Sequence, residues 1–253
     1  MVEEIKTRTE VNDKPWMYFA DSKVREQFKK RIEQLILEVS DRQPRALIFI
    51  DRAARPLAWA LKAAWEKQSQ GSLPPIKFFN LAAVKEKIFP LIKKDSNMAL
   101  REGGEYTTQR APWSELQIDT EKAKAVWRTV GSDKELLAMM PDLYSSSGPV
   151  LVIDDYRGQG STMKVARSFL EFQFPEIDFE EYTVFSEMDA VNFRPPKGLS
   201  WIGPWLPWNS DKDLTGVESR ENDKEVISKR QDSPEARQKM KRLREEINRL
   251  FAD

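Results

Sequence analysis

Residues 148–166 read GPVLVIDDYRGQGSTMKVA, and this stretch restricts the chain to few architectures. Val150, Leu151, Val152 and Ile153 are apolar without alternation, the pattern of a strand buried on both faces of a parallel sheet. Asp154 and Asp155 stand at its carboxyl end. A glycine-punctuated turn (Arg157, Gly158, Gln159, Gly160) then leads through Ser161 and Thr162 into a helical repeat of Met163, Val165, Ala166, Phe169 and Leu170. Strand, turn and helix in this order put the turn in the crevice where open α/β sheets bind ligands.

The chemistry of that turn suits a phosphate. Gly158 and Gly160 allow positive φ and close backbone approach, and the first amides of the following helix point outward with partial positive charge and no internal acceptor. Ser161 and Thr162 add hydroxyl donors. Asp154 and Asp155 would repel a phosphate, but they can accept hydrogen bonds from sugar hydroxyls or hold a hydrated divalent cation. The combination therefore points to a sugar phosphate. A Walker A loop would need a lysine behind its second glycine, and a dinucleotide fingerprint would need three glycines in fixed order; neither is found in this segment.

A second segment has related logic. Ala46–Ile50 is another apolar strand, followed by Asp51, Arg52, Ala53, Ala54, Arg55 and Pro56, and then by a helix containing Leu57, Ala58, Ala60, Leu61 and Trp65. Pro56 suits a first helical turn. Arg52 and Arg55 offer the rigid fork of donors that matches phosphate oxygens.

The segment Val150 to Thr162 resembles, without a gap, the signature of the type I phosphoribosyltransferases: an apolar strand, two acids, and a short loop closing in Gly-x-Thr. The resemblance implies an α/β fold with a mostly parallel sheet flanked by helices, and transfer of the 5-phosphoribosyl group of 5-phosphoribosyl-1-diphosphate (PRPP) to a nucleobase or related acceptor with release of pyrophosphate. It assigns the ribose hydroxyls to Asp154 and Asp155 as the catalytic pair. The 5-phosphate falls to Arg157, Gly158, Gln159, Gly160, Ser161 and Thr162, and the pyrophosphate to the first loop, Arg52, Ala53, Ala54 and Arg55. Family members commonly carry glycines in that first loop, and here alanines stand in their place. Mg2+ is implied as a companion of PRPP near Asp154 and Asp155, with no direct protein ligand.

By the same resemblance, the polar stretch REGGEYTTQRAPW supplies a covering lid with Arg101, Tyr106, Thr107 and Arg110, and the late element LSWIGPWLPWN offers Trp205 and Trp208 for stacking a base. Enzymes acting on hypoxanthine or guanine place an aspartate three positions after the second acid. That position here is Gly158, which disfavours such an acceptor. Two alternatives stand beside a transferase: a non-catalytic PRPP- or nucleotide-binding regulatory module, consistent with the alanines of the first loop, and a hydrolase or kinase-like enzyme using the aspartates as metal ligands.

Composition excludes several other chemistries. The chain has no cysteine and no histidine, which removes disulfides, thiolate catalysis, cysteine-ligated zinc and Ser-His machinery. Lys plus Arg and Asp plus Glu both total 41, so no global field draws nucleic acid. The amino-terminal MVEEIKTRTE is charged, and no apolar run approaches a membrane span. The expectation is a cytoplasmic protein that acts on small molecules without a membrane or nucleic-acid partner.

The 253 residues suffice for one phosphoribosyltransferase-like domain, with a core over about 42–208, an insertion over about 81–147 and a charged helical tail over about 219–253. A helix is expected from about Ser22 to Glu38, with Ser22 available as cap and Trp16, Tyr18 and Phe19 packing ahead of it. Strands are expected at Ala46–Ile50, Ile76–Phe79 and Tyr182–Phe185 beside the signature strand. Helical pieces fall near 84–94, 121–130 and 134–140. In the tail, Ser233 and Pro234 open a helix whose Ala236, Met240, Leu243, Ile247 and Leu250 share one face, with Arg237, Lys239, Lys241 and Arg244 opposite. That apolar face is expected to dock on the domain or on a second copy in a homodimer.

Overall fold

The computed structural model describes residues 15–50, 54–68, 71–79, 81, 140–144, 147–156, 161–185, 206, 208, 217–219, 226–228 and 233–252. Helix α1 (Ser22–Arg42) leads into β1 (Ala46–Ile50), α2 (Arg55–Gln68), β2 (Ile76–Phe79), the short α3 (Met140–Tyr144), β3 (Val150–Tyr156), α4 (Ser161–Gln173) and β4 (Phe179–Phe185). A two-stranded antiparallel pair, β5 (Val217–Ser219) and β6 (Val226–Ser228), precedes the last helix, α5 (Pro234–Leu250).

Four strands form one all-parallel sheet in the order β2-β1-β3-β4. The apolar runs explain why: ALIFI and VLVI bury side chains on both faces, so these strands occupy the centre and their backbone groups pair on both sides. Leu47, Phe49, Leu151 and Ile153 join one core with α1, α2 and α5, through residues such as Phe28, Ile32, Leu57, Leu61, Leu243 and Ile247. Ala46, Ile48, Ile50, Val150 and Val152 join the other with α4, through Met163, Ala166, Phe169 and Leu170. The architecture is thus α/β, with helices on both faces of a parallel sheet, in agreement with the sequence expectation.

Several boundaries differ from that expectation. Asp21, and not Ser22, caps α1, its Oδ1 accepting from the Lys23 amide at 2.8 Å, and the helix continues to Arg42. Strand β4 begins at Phe179, three residues earlier than its apolar pattern implies, because Glu180 and Glu181 are neutralised by partners: Glu180 by Arg42 at 2.9 Å and Glu181 by Arg167 at 3.8 Å. The β5–β6 pair has no alternating apolar run to announce it. Helix α3 overlaps the expected 134–140 piece only at Met140; the rest of that piece, and those at 84–94 and 121–130, lie outside the described residues.

The tail helix follows its sequence signals. Ser233 caps it, accepting from the Ala236 amide at 3.1 Å, with Pro234 in the first turn, and the apolar stripe docks against α2. Among the described residues, no helix is long and apolar enough to cross a membrane.

Candidate functional site

The strand order creates a divergence between β1 and β3. The chain leaves β1 towards β2 on one side and leaves β3 towards β4 on the other. Right-handed crossovers in opposite directions must place α2 and α4 on opposite faces of the sheet, and the two separate cores show that they do. The carboxyl ends of β1 and β3 therefore flank the topological switch point, where such sheets leave an open crevice. Ala46 pairs with Val150 and Phe49 with Ile153, so Ile50, the last residue of β1, is level with Asp154, and β3 runs on to Tyr156.

The acid pair lies at this edge. Asp154 is 6% exposed and Asp155 is half-buried. Each uses one oxygen to hold the next amide along the strand: Asp154 Oδ1 accepts from the Asp155 amide and Asp155 Oδ1 from the Tyr156 amide, both at 2.9 Å. Burial pushes the Asp155 carboxyl above the ordinary aspartate range, and the hydrogen bonds from Asp154 and from the amides of Tyr156 and Asp155 recover only part of that shift. Asp155 thus holds a proton more readily than a solvated aspartate. The pair can accept from hydroxyls and also donate to an oxygen. This all-oxygen set equally suits the water shell of a hydrated magnesium ion. Among the described residues, no group of three or more acidic side chains converges as a cation cage.

The two helices that start at the crevice differ from the others. Helix α1 has its Asp21 cap, and α5 has Ser233 and Glu235 at its start. Helices α2 and α4 have no acid in the first turn, and the residues before them, Ala54 and Gly160, have no side-chain acceptor. Their opening turns instead contain cations, Arg55 and Lys164. A cation opposes the positive end of the helix dipole, at about 0.3–1 kcal/mol each, so both starts are suited to receiving an external anion.

The sequence-predicted residues are distributed as follows. Arg55 begins α2, with its guanidinium 4.8 Å from the ring centroid of Phe78 on β2. Ala54 is fully buried in the core, and its amide donates to the Ile50 carbonyl at 3.4 Å. This makes it a packing residue that closes the first loop, not a donor facing a ligand. Ser161 starts α4 and Thr162 is half-buried beside it. Trp208 is a correction to the stacking role: it is 2% exposed, with Phe28 edge-on at 5.7 Å and Phe19 at 6.3 Å. Its ring is enclosed by core side chains that include Phe28 of α1. Arg52, Ala53, Arg157, Gly158, Gln159, Gly160, Arg101, Tyr106, Thr107, Arg110 and Trp205 lie outside the described residues.

Two features of the site escaped the sequence reading. Lys164 carried a weak signal, a cation one turn after the Gly-x-Gly. Phe78 carried none, because only the β1–β2 register sets it beside α2. Comparison of the chain with protein-family models, with curated proteins and with solved structures returned no match.

Proposed function

We propose that this protein binds PRPP at the β1–β3 switch point and transfers its phosphoribosyl group to a nucleobase or related acceptor, in the manner of a type I phosphoribosyltransferase. One observation carries the reading: the Asp154–Asp155 pair lies near the carboxyl end of β3, ahead in the chain of an acid-free helix start, at the switch point that α/β sheets use for ligands. The carboxylates take the ribose hydroxyls, and the amides opening α4, with Thr162, take the 5-phosphate. Arg55, with Arg52, takes the pyrophosphate. In the reaction the bond from C1 to pyrophosphate breaks, its electrons leave with pyrophosphate, and the acceptor's lone pair forms the new bond to C1. Asp154 and Asp155 hold negative charge near the ribosyl cation that develops, an electrostatic role that costs no reorganisation. Magnesium bound to the diphosphate would neutralise the departing charge.

The test is direct. Wild-type protein should bind PRPP by calorimetry and, with magnesium and a panel of bases, release pyrophosphate with at least one. Asp154→Asn combined with Asp155→Asn should weaken PRPP binding by tenfold to a hundredfold or more, since hydrogen bonds to charged groups contribute about 1.5–3 kcal/mol each. Unchanged affinity in the double variant would refute the site. Binding without turnover on any acceptor would favour a regulatory module, for which the burial of Ala54 and the internal use of its amide argue. Metal-dependent release of phosphate from simple phosphoesters, with little PRPP affinity, would point to a hydrolase instead.

A further inference from the structure

We infer that the seam between α2 and α5 binds single-stranded nucleic acid, with phosphates on Lys62, Lys67 and Arg244 and a base stacked on the Arg244–Trp59 pair. The chain is neutral as a whole, with 41 basic and 41 acidic residues, but its fold separates the charges. Outside the core, α2 and α5 present nine basic side chains and three acidic ones. Residues 161–178, which include α4 on the opposite face of the sheet, present two basic and three acidic. A positive face of this kind is the electrostatic footprint of a polyanion site, and the total charge conceals it.

The two helices run side by side in the same direction. Arg244 lies over Trp59, its guanidinium carbon 5.9 Å from the ring centroid, and eight residues on in both segments the Lys67 ammonium reaches the Ala252 carbonyl. The seam therefore extends over two helical turns, about 12 Å, with Lys62 exposed between its ends. Both end cations are held by neutral groups, a ring and a carbonyl, which order a positive charge without cancelling it. Arg25 repeats the arrangement next to the end of α5: it donates to the Phe19 and Ala20 carbonyls at 2.6 and 2.9 Å and lies 5.1 Å from the Trp16 ring, which Arg249 approaches at 4.0 Å. Bases stack on aromatic rings and guanidinium planes while phosphates pair with Lys and Arg, so interleaved rings and cations match a single strand better than a chain of carboxylates. The apolar stripe of α5, Leu243, Ile247 and Leu250, is committed to the core, which removes it from insertion into a lipid surface. None of these residues belongs to the loops after β1 and β3, so the inference does not rest on the PRPP reading.

The experiment measures the fluorescence anisotropy of labelled oligouridylate and oligothymidylate of about twelve nucleotides, within the usual span of a single-strand site, with the full chain at low salt. At least one should bind, and the logarithm of its affinity should fall against that of salt with a slope of about −2, as expected for three phosphates. Lys62→Glu combined with Arg244→Glu reverses two exposed charges and should weaken binding roughly tenfold or more without moving the unfolding midpoint. Trp59→Leu keeps an apolar side chain against the core and should cost about fivefold or more, the usual minimum for one stacked base, with less quenching of tryptophan emission by the oligonucleotide. Polyglutamate and phosphatidylserine vesicles should displace the label only in large excess over unlabelled oligonucleotide. Absence of binding by both strands at low salt, wild-type affinity in the charge-reversed protein, or displacement by polyglutamate or vesicles as effective as by oligonucleotide would overturn the inference.

Discussion

At the scale of single residues, two carboxylates, the buried Glu246 and the half-buried Asp155, do opposite things. Glu246 on α5 is 2% exposed and accepts from three successive amides, those of Met17 at 2.7 Å, Tyr18 at 2.9 Å and Phe19 at 3.2 Å, and from Arg242 Nε at 3.0 Å. Every lone pair is occupied, so the charge ties the segment before α1 to the last helix. Glu246→Ala leaves three donors and Arg242 without their acceptor and should cost about 3–5 kcal/mol in urea unfolding. Asp155, by contrast, is held at some expense to stability. Its carboxyl is raised in the folded protein by burial, so the fold favours the protonated form. That penalty vanishes below the ordinary aspartate range, grows as pH rises from there, and is complete above the raised folded value. Asp155→Asn keeps the acceptor for the Tyr156 amide and should therefore raise the thermal midpoint at neutral pH. The gain should disappear on acidification below the carboxylate range, and its persistence there would contradict the burial argument.

Among the elements, α5 closes the core from the end of the chain. Leu243, Ile247, Leu250 and Phe251 enter the core shared with α1 and α2, and the helix is stitched further by Lys67 to the Ala252 carbonyl and Arg242 to the Pro15 carbonyl. Burying four such side chains stabilises by roughly 6–12 kcal/mol, as much as a whole domain usually has in hand. A chain ending after residue 232 should lose its cooperative unfolding transition by circular dichroism; a preserved transition would show that α5 is an accessory. The helix was legible beforehand because Ser233, Pro234 and a 3.6-residue apolar repeat are local signals. Its docking partner was not, because an apolar stripe fits the domain and a second copy equally well. The burial of Trp208 was not legible for a related reason: tryptophans among prolines look the same whether their rings wall a crevice or fill a core.

For the molecule as a whole, the sheet order makes the site, since the loops after β1 and β3 are separated by about a hundred residues yet leave the sheet side by side. A ligand bridging them should stabilise the fold through linkage. PRPP at a hundred times its dissociation constant should add about 2.7 kcal/mol and raise the thermal midpoint, while the same PRPP concentration should give the Asp154→Asn, Asp155→Asn protein about half that gain or less. The chain's short-range pattern was enough to read the strand with its acid pair at 150–156, the helix at 161–173, the two-sided burial of the central strands and the class of the fold, because backbone propensity and apolar period act within a few residues. Assembly alone chose which strands became neighbours, set Arg55 on Phe78, drew Trp208 into the core and brought Glu246 to amides 227 to 229 positions away. Such contacts carry no local signature: each is selected by how the complete core closes, after the chain has met the entropy of joining distant segments.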